Sequence, residues 1–181
     1  MKKMSMPGAA LLTLLLGGCG GGGGDASTPA GAVANEFCHT LPSGSAGCSG
    51  CLNVENPAHA FDGSFATVAT IAPSGGGSFR GLSGDLQEGG TVAGVSFYLP
   101  SPAGISISMA TLRGGTQQES AAPVSRQNGS DNCSGIAQIC NFRDGQDSFV
   151  GFVTTLPFDG IQATISNTST GEVLVQELCV D

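Results

Sequence analysis

The run Val95-Ser96-Phe97-Tyr98-Leu99-Pro100-Ser101-Pro102-Ala103-Gly104-Ile105-Ser106-Ile107-Ser108-Met109-Ala110 alternates apolar and polar residues twice, on either side of a double-proline break. Val95, Phe97 and Leu99 fall on one face of one extended segment; Ile105, Ile107 and Met109 fall on one face of the next. A two-residue period of this kind is the signature of a strand with one buried and one solvated face. Pro100 and Pro102 end the first strand, because proline cannot donate to a ladder.

Outward from this pair the same pattern recurs. Further strands are expected at Phe149–Leu156, Ile161–Ile165 and Val173–Val180. Turn clusters punctuate them at Ser74–Gly77, Gly114-Gly115, Asn128–Asn132, Asp144-Gly145 and Asp159-Gly160. No stretch sustains a helical apolar period, and no internal repeat is present. With 30 glycines, 40% hydrophobic and only 11% charged residues, the chain has the composition of a turn-rich β protein rather than a disordered one. The expectation is an all-β fold, a jelly-roll β-sandwich of about eight or nine strands over residues 36–181, stapled by disulfides.

The first 35 residues have a different character. Lys2 and Lys3 precede an apolar run from Ala9 to Leu16, too short to span a bilayer, which needs about 20 apolar residues. Leu16-Gly17-Gly18-Cys19 resembles the bacterial lipobox, in which the cysteine receives a diacylglycerol and becomes the new N-terminus. Residues 1–18 are therefore expected to be a lipoprotein signal peptide and Cys19 the lipidation site, with membrane attachment through the covalent lipid. Residues 19–35, with Gly20–Gly24 followed by an Ala, Ser, Thr and Pro-rich stretch, read as a flexible tether. Gly20 rather than Asp after the cysteine implies, by lipoprotein sorting rules, the outer membrane of the cell envelope.

Cysteine parity agrees with export. Seven cysteines leave six once Cys19 is acylated: Cys38, Cys48, Cys51, Cys133, Cys140 and Cys179. An even set in an exported chain reads as three bridges. The favoured set is Cys38–Cys48, Cys51–Cys179 and Cys133–Cys140, in which a bridge ties the two ends of the domain. Spacing leaves the partners of Cys38, Cys48 and Cys51 exchangeable.

Charge excludes one class of function. Arg80, Arg113, Arg126 and Arg143 are the only cations beyond the leader, against fourteen Asp and Glu. A surface this acidic has no means of tracking a phosphate backbone, so nucleic acid is not a partner.

Residues 53–70 carry a resemblance. Within Asn53-Val54-Glu55-Asn56-Pro57-Ala58-His59-Ala60-Phe61-Asp62-Gly63-Ser64-Phe65-Ala66-Thr67-Val68-Ala69-Thr70, the core A-x-D-G-x-x-x-T after an Asn-Pro resembles the opening of discoidin domains (coagulation factor 5/8 C-terminal domains). These belong to the galactose-binding-like jelly rolls. The last strand, Val175-Gln176-Glu177-Leu178-Cys179-Val180, resembles that family's closing strand. The resemblance implies a structural Ca²⁺ ion under the turn, with Asp62, Ser64, Thr67 and Glu177 as oxygen donors. The family often has Asn or Asp at the position of Ser64, and Val68 stands where an aromatic residue commonly follows the threonine. Ca²⁺ takes six to eight oxygens and accepts mixed carbonyl, hydroxyl and carboxylate sets. Without an ion, Asp62 would cap its own turn.

The resemblance also brings carbohydrate as a ligand class. Phe79 and Arg80, beside the Ser74–Gly77 cluster, are the first candidate binding pair; Arg126 with Asn128 is the second. Phe79 is equally suited to the core, and the chain has no Trp for a stacking platform. Enzyme signatures are missing: there is no G-x-S-x-G and no H-E-x-x-H. Cys48-Ser49-Gly50-Cys51 lacks the βαβ setting of redox pairs, and Cys38 beside His39 belongs in a bridge. The sequence thus describes a non-enzymatic, lipid-anchored envelope binding module for glycan or another envelope component. The alternative is a structural or assembly lipoprotein that packs against an envelope protein and takes no small ligand.

Overall fold

The computed structural model describes residues 38–41 and 46–181. The expected signal peptide, Cys19 and the tether to residue 35 lie outside the described residues. Twelve strands follow in order: β1 (His39–Thr40), β2 (Ala46–Glu55), β3 (Ala69–Gln87), β4 (Val92–Leu99), β5 (Gly104–Arg113), β6 (Thr116–Ser120), β7 (Val124–Gln127), β8 (Ser130–Asn132), β9 (Gln138–Asn141), β10 (Gln146–Val153), β11 (Phe158–Asn167) and β12 (Val173–Val180). A single 3-10 turn at Pro57–Phe61 is the only helical element among the described residues.

Every strand pairing is antiparallel, and the ladder runs β8-β7-β5-β11-β3-β12-β4-β10-β9, with β2 beside β3, β6 beside β5 and β1 beside β12. This one sheet curls into two layers through β3. Ala69–Ile71 pair with Val173–Val175 of β12, whereas Gly76–Gln87 pair with β11. Between the two halves Ser74 takes a positive φ of 59° and three glycines follow, so the strand turns the corner without ending. The expected break at Ser74–Gly77 is therefore a bend inside one long strand. In chain order β4, β5, β10, β11 and β12 fall alternately in the two layers, which is the jelly-roll arrangement.

The core lies between the layers. Phe97, Leu99, Ile105, Ile107, Phe158, Ile161, Ile165 and Leu178 are all fully buried, with Phe79 at 0% exposure among them. The alternation holds residue by residue on β11, where Ile161, Ala163 and Ile165 point inward and Thr164 and Ser166 are exposed. Asp159-Gly160, expected to be a turn, lies inside β11. A Cβ at Gly160 would sit 2.5 Å from the Gly81 carbonyl oxygen, so this glycine serves close strand approach.

The structure corrects two of the disulfides. Cys38 bonds to Cys179 and Cys48 to Cys51, in place of Cys38–Cys48 and Cys51–Cys179; Cys133 bonds to Cys140. Register explains the exchange. β1 pairs with the end of β12, Thr40 opposite Cys179, so the neighbouring Cys38 comes within 5.3 Å Cα–Cα of Cys179. Cys48 lies on β2 opposite Phe79 of β3, and the β2 register slips between Ser49 and Leu52, which brings Cys51 back to 6.0 Å from Cys48. Their sulfurs occupy the space where a side chain at Gly77 would stand.

Candidate functional site

Two polar regions stand out on this frame. The first is the turn after the 3-10 segment. Asp62 accepts from the Ser64 amide at 3.0 Å and from the Thr67 hydroxyl at 2.6 Å, and Ser64 Oγ accepts from the Ala66 amide at 3.2 Å. This is an Asx-type turn closed by its own side chains.

Glu177 lies beneath it because of a bulge in β12. Val175 is opposite Phe97, but Glu177 is opposite Ser96, so Gln176 and Glu177 share one partner. Ahead of the bulge Val173 and Val175 face the core; beyond it Leu178 does. The extra residue moves Glu177 off the apolar side and under the loop. There Glu177 is completely buried, and neither carboxylate oxygen has a hydrogen-bond partner. Burial, and then the nearby Asp62 carboxylate, push its pKa up to about 8. The Gly63 and Ser64 amides pull weakly the other way, and the Ser64 amide already donates to Asp62.

The structure thus brings together Asp62, Ser64, Thr67 and Glu177. Two carboxylates and the Thr67 hydroxyl place hard oxygens in this region, and the two orphaned buried oxygens of Glu177 are among them. Those residues fit a divalent cation of the Ca²⁺ type, which would neutralise the two like charges. Among the described residues no group of three or more His, Cys, Asp or Glu side chains is placed to hold a metal, so main-chain and hydroxyl oxygens would have to complete the shell.

The second region is at the loop end of the sandwich. Asn167, 1% exposed, is its keystone: its amide donates to the carbonyls of Ile71 and Gly171 at 2.9 Å each, and its oxygen accepts from the Ser169 amide at 2.9 Å. The Thr168 amide donates to the Gly104 carbonyl at 2.8 Å. The β7–β8 turn has positive φ at both Asn128 and Gly129, the geometry of a type I′ hairpin. Together these loops line a groove of about 320 Å³ with Pro102, Gln127, Asn128, Thr168, Ser169 and Thr170, and no ionisable side chain lines it.

The sequence matches no protein-family model and aligns with no curated protein. Solved structures with a similar chain trace are found. The family 32 CBM from C. perfringens NanJ in complex with galactose shares 14% identity, with a TM-score of 0.48, over 78% of this chain and 97% of that one. A pectin-binding carbohydrate-binding module gives 13%, 0.48, 78% and 92% for the same measures. The lectin domain of lectinolysin with Lewis B antigen gives 13%, 0.43, 78% and 94%.

The remaining expected site residues fare differently. Phe79 is 0% exposed in the core and cannot serve as a binding platform. Arg80, half-buried, donates to the Gly115 carbonyl. Arg126 is committed to Asp144, at 2.8 Å, and to Asp131, so only Asn128 of the second pair faces a groove. Cys38 is bridged to Cys179, which leaves no free thiol beside His39. Sequence reasoning missed Asn167 and the Thr168–Thr170 loop. The available signal was a five-residue polar cluster, Asn167-Thr168-Ser169-Thr170-Gly171, between two apolar runs.

Proposed function

We propose that the protein is a lipid-anchored module of the bacterial cell envelope, acylated at Cys19, that binds glycan in the loop-end groove and carries a structural Ca²⁺ ion under the Asp62–Thr67 turn. The observation that carries the glycan assignment is the uncharged, hydrogen-bond-dense lining of that groove. Sugar hydroxyls both donate and accept, and Gln127, Asn128, Thr168 and Thr170 can do both without the desolvation cost of a charge. The loop scaffold is held by the buried Asn167 network, so little ordering remains to be done on binding. When bound, the ion neutralises Asp62 and Glu177 and pins the turn between them; it has no chemical step to perform.

Affinity electrophoresis tests the assignment, with galactose-, pectin- and Lewis b-bearing material as the starting panel. At least one polymer should retard the protein, and Asn128→Ala combined with Thr170→Ala should weaken retardation about tenfold. No retardation across a broad panel overturns it. Mass spectrometry of the native protein should show an acylated Cys19 as the first residue; an intact Met1 overturns the anchor. The assembly reading has one observation in its favour: Ile136, Ile139 and Val153 are exposed together at the β9–β10 rim. A stoichiometric protein partner lost on Ile139→Ser would support that reading.

A further inference from the structure

From the outer face of the layer formed by β2, β3, β11, β5, β7 and β8 we infer a second contact surface, adjoining the loop-end groove, that accommodates an extended neutral polysaccharide chain. The inference rests on the glycan reading above and adds the kind of chain recognised and where it runs.

Strand register arranges hydroxyl side chains in rows across this layer. Ser49 of β2 is opposite Ser78 of β3, Ser78 opposite Thr164 of β11, and Thr164 opposite Ser108 of β5. One step along, Ser166 is opposite Ser106, Ser106 opposite Ser125, and Ser125 opposite Asn132. Neighbouring strands lie about 4.8 Å apart and successive same-face residues about 6.7 Å apart, so the hydroxyls form a near-regular grid. The Thr164 hydroxyl donates to Ser78 Oγ at 3.1 Å, which leaves the Ser78 proton and the remaining lone pairs facing solvent.

Neither row contains a charged residue. The nearest cation, Arg80, is held by the Gly115 carbonyl. Over the β2–β3–β11 side of the grid lies a groove of about 650 Å³ whose floor includes Gly75–Gly77 and whose wall includes Leu52, 62% exposed. The glycines there serve close packing within the protein itself, and Leu52 offers an apolar surface to a sugar ring. Thr168 lines both this groove and the loop-end groove, so the two adjoin at the β11–β12 corner.

Chemistry selects the occupant. The lining is polar and neutral, and fourteen carboxylates against four arginines outside the leader repel a polyanion. A long neutral polyol, which can satisfy a row of hydroxyls along its length, matches; an acidic polysaccharide or a charged peptide does not.

The test uses the full protein with a size series of neutral oligosaccharides, from disaccharide to hexasaccharide, of whichever neutral polymer retards it; retardation by acidic polymers alone overturns the inference. Affinity should rise at least tenfold with length, and Thr164→Arg, a change at an exposed position, should abolish that rise while leaving disaccharide binding within about twofold. Anionic alginate should not bind. If length has no effect, or if Thr164→Arg binds the hexasaccharide as the parent does, the sheet-face inference is wrong while the loop-end site stands. If no glycan of any length binds, the glycan reading itself fails. Dimerisation of the parent that is lost in Thr164→Arg would assign the face to a second copy of the chain and overturn the inference as well.

Discussion

Removing calcium should expose the cost of burying Glu177. In the ion-free protein its carboxyl is raised from 4.5 to about 8, so between these values the folded state holds a proton that the unfolded state has lost. Stability changes with pH as the difference in bound protons, unfolded minus folded; here the difference is negative. The ion-free protein is therefore most stable below about pH 4.5 with respect to this group, and it loses that stability as pH rises through about 8. At about 1.4 kcal/mol per pH unit the ceiling is roughly 5 kcal/mol, and residual solvation reduces it to a few kcal/mol. Calcium at a hundred times its Kd adds about 2.7 kcal/mol to the folded state. For a chain of this size each kcal/mol moves Tm by about 2–4 °C, so chelator should lower Tm by about 5–10 °C.

Thermal melts at pH 5 and pH 8, with calcium or with EGTA, separate these effects. Calcium should help more at pH 8, since at pH 5 it competes with the Glu177 proton. Glu177→Gln isolates the group from the other carboxylates. Without ion it should melt above the parent at pH 8, and it should no longer respond to calcium. A parent Tm that is the same in EGTA and in calcium at pH 8, together with an ion-free pH profile that Glu177→Gln does not alter, would refute both the ion site and the account of the buried charge.

Three further outcomes concern the frame. Gly77→Ala places a Cβ 2.8 Å from Cys48 Sγ and closer still to Cys51 Sγ; it should cost about 1–3 kcal/mol by overpacking, and most of that loss should vanish in a Cys48→Ser, Cys51→Ser background when both are measured by guanidinium unfolding. Replacing Cys38 and Cys179 by Ser opens a loop with a sequence separation of 141, against 3 for Cys48 and Cys51, so chain entropy predicts losses of about 5 and about 2 kcal/mol respectively; the reverse order in denaturant melts would contradict this pairing. Phe79→Ala empties a fully buried site between the layers and should cost about 3–5 kcal/mol, seen as a fall in Tm, whereas a platform residue would have left Tm unchanged.

What could be read in advance depended on whether a side chain was there to report its face. β4, β5 and β11 were readable because short polar residues alternate with Ile, Val, Leu and Phe, and β12 because it is a short run rich in Val and Leu. β2 and the middle of β3 were not, because Gly47, Gly50 and Gly75–Gly77 carry no side chain to pattern; the same glycines let β3 turn its corner and make room for the Cys48–Cys51 bridge. Spacing gave Cys51 no preference for Cys48 over Cys179, since that depends on a register slip in β2.

The same limit governs the two polar regions, and it explains why one was found and the other was not. The Asp62–Thr67 turn is local: its hydrogen bonds span at most five residues, so a short motif suffices to describe it. Glu177 could be attached to it only by family resemblance, because strict alternation would put it on the core side with Val173 and Val175, and the bulge that removes it appears only in the pairing with Phe97 and Ser96. Asn167 has no local description of its role. Its bond to the Ile71 carbonyl spans 96 residues, so the loop it organises looks in sequence like any polar turn between two strands. Substituting Asn167 should therefore damage the groove and the β3–β11–β12 corner together: if the groove survives Asn167→Ala, the loop is held by something other than these bonds.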